Sequence, residues 1–291
     1  MILLTGATGL IGSAVLPRLT AARLPVRCLV RDPGRLGPER VRVQLALGDL
    51  ADPASFRNAL RGVQTVVHLA GATRDRKAGS IEELNGIATW RLVQAAERAG
   101  VRRFVFLGAL GASPHHRSRL MRARALAEQA VRASGLGHTV LATGLVYAPG
   151  DRLLSLLGGM GLLPAVPIAG RGRTPFEPIW ASDVADCVVA AVTGTEVAER
   201  LELAGPERLT HAQVVALALG AAGHRRPLVP VPSPLVNRVL RAGEALAKSR
   251  TPVTWDEAEL LQVPMLSASG TADAEALGVL PARMAAVLGV S

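Results

Sequence analysis

At 291 residues, with 49% apolar and 19% charged side chains, the chain has material for one large core with a smaller attachment and little room for disorder. The net charge of +10 invites an anionic partner, but Lys77 and Lys248 are the only lysines among 33 basic residues, so the excess is an arginine bias. With 3% aromatic residues and no basic run interleaved with aromatics, the composition speaks against nucleic-acid binding.

The first stretch is the most informative. Ile2, Leu3, Leu4 and Thr5 read as a buried strand, Gly6, Gly9 and Gly12 follow at intervals of three, and an apolar period carries a helix from Leu10 to Ala22. A strand, a glycine loop and a helix in that order make a phosphate cradle. Glycine permits positive φ and close approach of a pyrophosphate, and the free N–H groups and positive dipole end of the helix face the anion. The spacing is GxxGxxG rather than the commoner GxGxxG, and the flanking strand and helix are the context a nucleotide site requires. Because Met1 leads directly into the strand, no targeting peptide is expected.

Strand and helix patterns then alternate. Val26 to Val30 is a strand, and Arg40 to Leu47 another, ending at Gly48-Asp49-Leu50; Asp52-Pro53 opens a helix. Thr65 to Leu69 is the fourth strand, ending in Ala70-Gly71-Ala72, and a helix runs from Ser80 to Ala99. Arg103 to Leu107, a helix from Arg117 to Ala133, and a strand from His138 to Val146 complete the series. This alternation predicts an α/β fold, a Rossmann-type doubly wound parallel sheet over residues 1–150, with all strands ending at one ligand-binding edge. Cys28, in a strand, and Cys187, on an apolar helix side, read as packing residues of a protein in a reducing cytoplasm, with no metal site.

After Pro149-Gly150-Asp151 the apolar runs lengthen and are broken by Gly and Pro. Residues 151–175 and 206–291 are expected to form a smaller, mostly helical region on the substrate or partner side. About 176–205 rejoins the sheet through a helix from Trp180 to Val192, capped by Ser182, and a strand from Arg200 to Ala204. Leu153 to Gly170 carries no charge, but its glycines, Pro164 and Pro167 predict a broken helix and loop rather than a membrane span. Further helices are expected from Thr210 to Ala222, from Pro234 to Lys248 and from Thr254. The middle one carries Leu235, Val236, Val239, Leu240 and Leu246 beside Arg238, Arg241 and Lys248. It is either a surface helix with one buried face or a basic surface for another subunit or the membrane.

Cofactor choice rests on the end of the second strand, where an acid would bind a ribose 2′-hydroxyl and an arginine a 2′-phosphate. The order there is Val30-Arg31-Asp32. Arg31, seconded by Arg35, points to NADP(H); Asp32, one residue on, leaves NAD(H) as the alternative. Asp49 and Leu50 would flank the adenine, with Asp49 equally readable as a turn residue.

Thr5 to Gly12, Gly48-Asp49-Leu50, His68-Leu69-Ala70-Gly71, Asn85 and Gly144 to Asp151 accumulate in an order that resembles the extended and atypical short-chain dehydrogenase/reductase superfamily. Phe176-Glu177-Pro178-Ile179-Trp180 and Leu203-Ala204-Gly205-Pro206-Glu207 resemble its late motifs, over about residues 1 to 220. Within it, Leu107 to Pro114 followed by Ser118 to Arg122 is similar to the group related to the nucleotide-binding accessory subunit of respiratory complex I. The resemblance implies a nicotinamide dinucleotide held by Gly6, Thr8, Gly9, Leu10, Ile11, Gly12, Arg31, Asp49, Leu50, Leu69, Ala70, Gly71 and Arg124. Enzymes of the superfamily typically use a Tyr-x-x-x-Lys pair and a Ser or Thr on the preceding strand. Here Leu120 falls where the tyrosine belongs, Arg124 where the lysine belongs, and Gly108 and Ala109 in the serine region, so no catalytic residue is assigned. Arginine is a poor proton relay, and His115 and His116, just before that helix, read as loop histidines.

Three functions follow in order. The first is a structural, assembly or redox-sensing protein that binds NADP(H) without turnover. The second is an atypical NADPH-dependent reductase of an apolar, quinone- or isoprenoid-like compound, facing the Leu153 to Ala169 stretch. The third is a sugar-nucleotide epimerase or dehydratase, which would need the missing proton relay.

Overall fold

The computed structural model describes residues 1–232, 238 and 254–290. Apart from Arg238, the expected helix from Pro234 to Lys248 lies outside the described residues. The chain begins with β1 (Ile2–Thr5), α1 (Gly12–Ala21), β2 (Val26–Val30), β3 (Gln44–Leu47), α2 (Pro53–Phe56) and β4 (Thr65–His68). It continues through α3 (Ala88–Arg98), β5 (Arg103–Ala109), α4 (Arg119–Arg132), β6 (Gly137–Thr143), α5 (Arg152–Gly159), α6 (Ala181–Thr193) and α7 (His211–Ala221).

Six of these strands and a late one, Arg200–Leu203, form a seven-stranded parallel sheet. β1 lies inside it between β2 and β4, β3 closes one edge, and β5, β6 and the Arg200–Leu203 strand extend the other. The expected Rossmann-type architecture is therefore present. β1 is buried throughout, and Ile2, Leu3 and Leu4 are apolar, because both its faces are covered. Leu4, Val67, Val105 and Leu141 pack under α1 and α6 on one face. Leu3, Val66, Phe104 and Phe106 pack under α3 and α4 on the other. Arg18 of α1 donates to Asp186 of α6 at 2.6 Å and locks the first layer.

Several boundaries differ from expectation for local reasons. The third strand starts at Gln44, not Arg40, because Pro33–Arg42 coils into tight turns around Gly37, at φ 58°, and Pro38. The sixth strand stops at Thr143; beyond Gly144, Val146–Tyr147 pairs with Ile179–Trp180 instead. Ser182 does not cap α6, whose N-cap is Trp180; its hydroxyl accepts from Arg18. Thr210 and Thr254 do cap their helices, each in a reciprocal capping box, with Gln213 and Glu257.

The uncharged stretch after Asp151 breaks into α5, a short turn at Met160–Leu162 and a strand at Val166–Ala169. No helix of the described residues is long and apolar enough to cross a membrane. Leu154 and Leu157 pack against Val214, Ala218 and Leu219 of α7. Cys28 and Cys187 are buried free thiols, and burial pushes both up to about 12. Residues 265–284 are tied back by carboxylates: Glu177 accepts from the Ser267 N–H at 2.8 Å, Glu202 from Ala268 at 2.8 Å, Asp183 from Ala282 at 2.9 Å, and Glu207 from Met284 at 2.9 Å.

Candidate functional site

The glycine loop joins β1 to α1 at the carboxyl edge of the sheet. Gly6 takes φ +75°, and a Cβ there would stand 2.6 Å from the backbone nitrogen of Ala70. Glycine is thus required twice at this position, for its dihedral and for the close passage of the chain leaving β4. The Gly9 N–H closes a turn onto the Gly6 carbonyl at 2.9 Å, and a Cβ on Gly12 would collide with the same carbonyl. Ile11 is the N-cap of α1 with no side-chain cap, and no acid lies in the first turn, so the helix end offers its N–H groups and dipole to an anion. Thr8 is partly exposed, while Gly9 and Leu10 form the exposed lip of the loop. Leu10, Ser13, Pro149, Gly150 and Trp180 line a hollow of about 410 Å³ beside it. These residues fit the pyrophosphate of a dinucleotide.

At the end of β2 the Arg31 guanidinium reaches Asp49 at 3.5 Å, and half of its side chain is exposed. Asp49 also accepts from the Ala51 N–H at 3.0 Å, so it is a turn residue and an orienter of Arg31 together. Leu50 packs partly against the core beneath α2. Asp32 is committed elsewhere: its carboxylate accepts from the Gly34 N–H at 2.9 Å and caps the turn after β2. Arg76, in the loop after β4, completes a positive neighbourhood; burial and then the charges of Arg31, Arg35 and Arg74 push its guanidinium below the usual range. The sequence offered no signal for Arg76, because only the fold brings its loop beside β2.

The ends of β4 and β5 form the other half of the cleft. Leu69 is buried, Ala70 partly exposed and Gly71 exposed. His68 lies beneath them, with Nδ1 2.6 Å from the Thr5 hydroxyl and Nε2 2.9 Å from the Thr89 hydroxyl. Thr89 donates onward to the Asn85 carbonyl at 2.6 Å, so it accepts from Nε2–H, and Nδ1 accepts from Thr5. Burial, with the charge of Arg124, holds His68 neutral, its pKa lowered to about 3. Asn85 sits in a π-turn over Glu83–Ile87, where its amide donates to Ala72 and Ile81 and its oxygen accepts from the Ala72 N–H. Thr89 does not stand out in the sequence, although its spacing of one helical turn from Asn85 is a signal that could find it.

The Arg124 guanidinium donates to the Leu107 carbonyl at 3.0 Å and lies against Gly71, where a Cβ would overlap it. Burial lowers its pKa to about 10. Leu120, one turn earlier, is sealed in an apolar cluster with Ile81 and Ala123, covered by Leu260 of the Trp255–Leu260 helix. That helix is clamped across the cleft by Glu257, which accepts from Arg74 at 2.6 Å, Arg152 at 3.0 Å and Thr73 at 2.9 Å. Gly108 has no room for a side chain, since a Cβ would stand 2.9 Å from Val140, and Ala109 carries no polar group. His115 is exposed, and His116 accepts from the Ser118 N–H at 3.0 Å through Nδ1, closing the turn before α4. Tyr147 is fully buried, its hydroxyl pushed above the usual range by burial and by Asp183 and Glu207.

Residues 6–195 match the family model described as NAD(P)H-binding. The NAD(P)H azoreductase of Xenophilus azovorans is 33% identical over 77% of this chain and 74% of its own. The alpha subcomplex subunit 9 of mitochondrial NADH dehydrogenase from Arabidopsis thaliana is 26% identical over 91% of this chain and 68% of its own. In fold, the chain superimposes on the NADPH-dependent quinone oxidoreductase of Escherichia coli, complexed with NADPH, with a TM-score of 0.77 at 18% identity and 99% coverage of both.

Proposed function

The chain belongs to the NAD(P)H-binding family, and on that premise we propose that it is an atypical member of the short-chain dehydrogenase/reductase superfamily that retains NADP(H) in a structural or redox-sensing role without a proton relay. The carrying observation is Leu120, 6% exposed under Leu260 at the position where a relay tyrosine would stand. The one tyrosine of the chain is locked in a separate apolar cluster. NADP(H) rather than NAD(H) is supported by Arg31, Arg35 and Arg76 gathering at the end of β2 while Asp32 is used by the backbone.

When bound, the dinucleotide supplies a hydride. The residues of this chain bind and orient it: the glycine loop takes the pyrophosphate, the arginines the 2′-phosphate, and Gly71 and Arg124 the nicotinamide half. None of the cleft groups, Arg124, neutral His68 or Asn85, has the proton affinity of a relay at neutral pH. A reductase reading is supported by reductase relatives, the azoreductase at 33% identity among them. Hydride transfer to an acceptor that draws its proton from water requires positioning alone. The test is a titration of the purified protein with NADPH and NADH, followed by addition of azo compounds, quinones and carbonyls while the reduced-nicotinamide absorbance is watched. Tight NADPH binding with stable absorbance is the expected result; decay with one class establishes the reductase, and no binding refutes both.

A further inference from the structure

Resting on the NADP(H) reading, we propose that Arg124 makes the site discriminate the redox state of its cofactor, binding the reduced dinucleotide in preference to the oxidised one. The argument is one of position and charge. Along the ligand edge the strands run β5, β4, β1, β2. The loop after β1 takes the pyrophosphate and Arg31 after β2 marks the adenosine half. The nicotinamide half therefore extends the other way, over the ends of β4 and β5, at about 4.8 Å per strand. Arg124 occupies that place, bonded to Leu107 of β5 and abutting Gly71 just past β4.

The charge there is uncompensated. Among the described residues no carboxylate pairs with Arg124; Glu128, one turn along α4, is taken by Arg200 at 3.1 Å. The groups beside it, Asn85 and the His68 ring, are neutral. Loss of hydride leaves the nicotinamide ring with a positive charge that the reduced ring lacks. Two like charges in a partly buried cleft repel over several ångströms, far more than in water. The adenosine, the phosphates and both riboses are common to the two forms, so their contributions cancel in the ratio of affinities. What remains is the repulsion, which weakens the oxidised form alone.

The experiment measures dissociation constants of NADPH, NADP⁺ and 2′,5′-ADP, which lacks the nicotinamide, for the wild type, Arg124→Gln and Arg124→Lys. The wild type should prefer NADPH to NADP⁺ by about tenfold or more, given a unit charge in an intermediate dielectric. Arg124→Gln should bring that ratio down severalfold with 2′,5′-ADP binding unchanged, and Arg124→Lys should keep it. Equal wild-type affinity for the two forms overturns the proposal whether or not the glutamine variant folds, and so does a ratio that survives Arg124→Gln. Failure of the wild type to bind any of the three, 2′,5′-ADP included, removes the cofactor reading itself and the inference with it.

Discussion

On the proposed NADP(H) reading Arg31 is the residue on which cofactor choice turns, and its surroundings explain why sequence alone leaves the matter open. Two adjacent residues of opposite charge follow β2, and the structure separates them: Asp32 is tied to the Gly34 N–H, and Arg31 reaches Asp49. Arg31→Ala should weaken NADPH about tenfold, ~1.4 kcal/mol, and leave NADH nearly untouched; equal losses in parallel titrations would contradict the 2′-phosphate assignment. His68 carries a second prediction. Its folded pKa, about 3, lies below the ordinary 6.5, because burial and then Arg124 disfavour the charged ring. The unfolded chain therefore takes up the proton first. The stabilisation is complete above 6.5 and is lost progressively as the pH falls from there toward about 3, with a slope of up to ~1.4 kcal/mol per pH unit. Denaturant unfolding at a series of pH values reads that slope, and a flat profile just below 6.5 would mean the ring is not held neutral.

At the scale of elements, the proposed loss of a proton relay rests on the start of α4. That Leu120 lacks a proton was legible in the sequence; that it is covered was not, because Leu260 arrives from far along the chain. The consequence is that the relay cannot be restored by substitution. Leu120→Tyr with Arg124→Lys should give no alcohol dehydrogenation and should lose about 1–3 kcal/mol of stability, as overpacking of a sealed site does. Dehydrogenase activity at wild-type stability would show that the Trp255–Leu260 helix leaves room above α4. That helix is itself conditional on Glu257, whose carboxylate is raised by burial but lowered overall by Arg74, the Thr254 N–H and Thr73. Its clamp is fully present above the ordinary 4.5 and is lost as the pH falls through the depressed folded value. Hydrogen exchange over residues 254–262 should accelerate only in that acidic range.

For the whole molecule, the alternation of patterns was enough to give the parallel sheet, because buried strands and amphipathic helices have different periods. It did not separate the turn at Pro33–Arg42 from β3, since arginine and valine suit either, nor did it show that Leu154 and Leu157 pack on α7. The arginines of the cleft come from β2, the loop after β4 and α4, so only the assembled sheet brings them to one edge. NADPH at about 100 times its dissociation constant should stabilise this assembly by ~2.7 kcal/mol, read as a rise in Tm that 2′,5′-ADP reproduces only in part. The carboxylates that hold residues 265–284 also set a timetable for synthesis. Asp183 leaves the ribosome 99 residues ahead of the Ala282 N–H that satisfies it. At ~5–20 residues per second that is an interval of about 5–20 s. During that interval the helix that carries Asp183 lacks both the N–H that satisfies its carboxylate and the segment that delivers it, so the last stretch of the chain completes a layer already made.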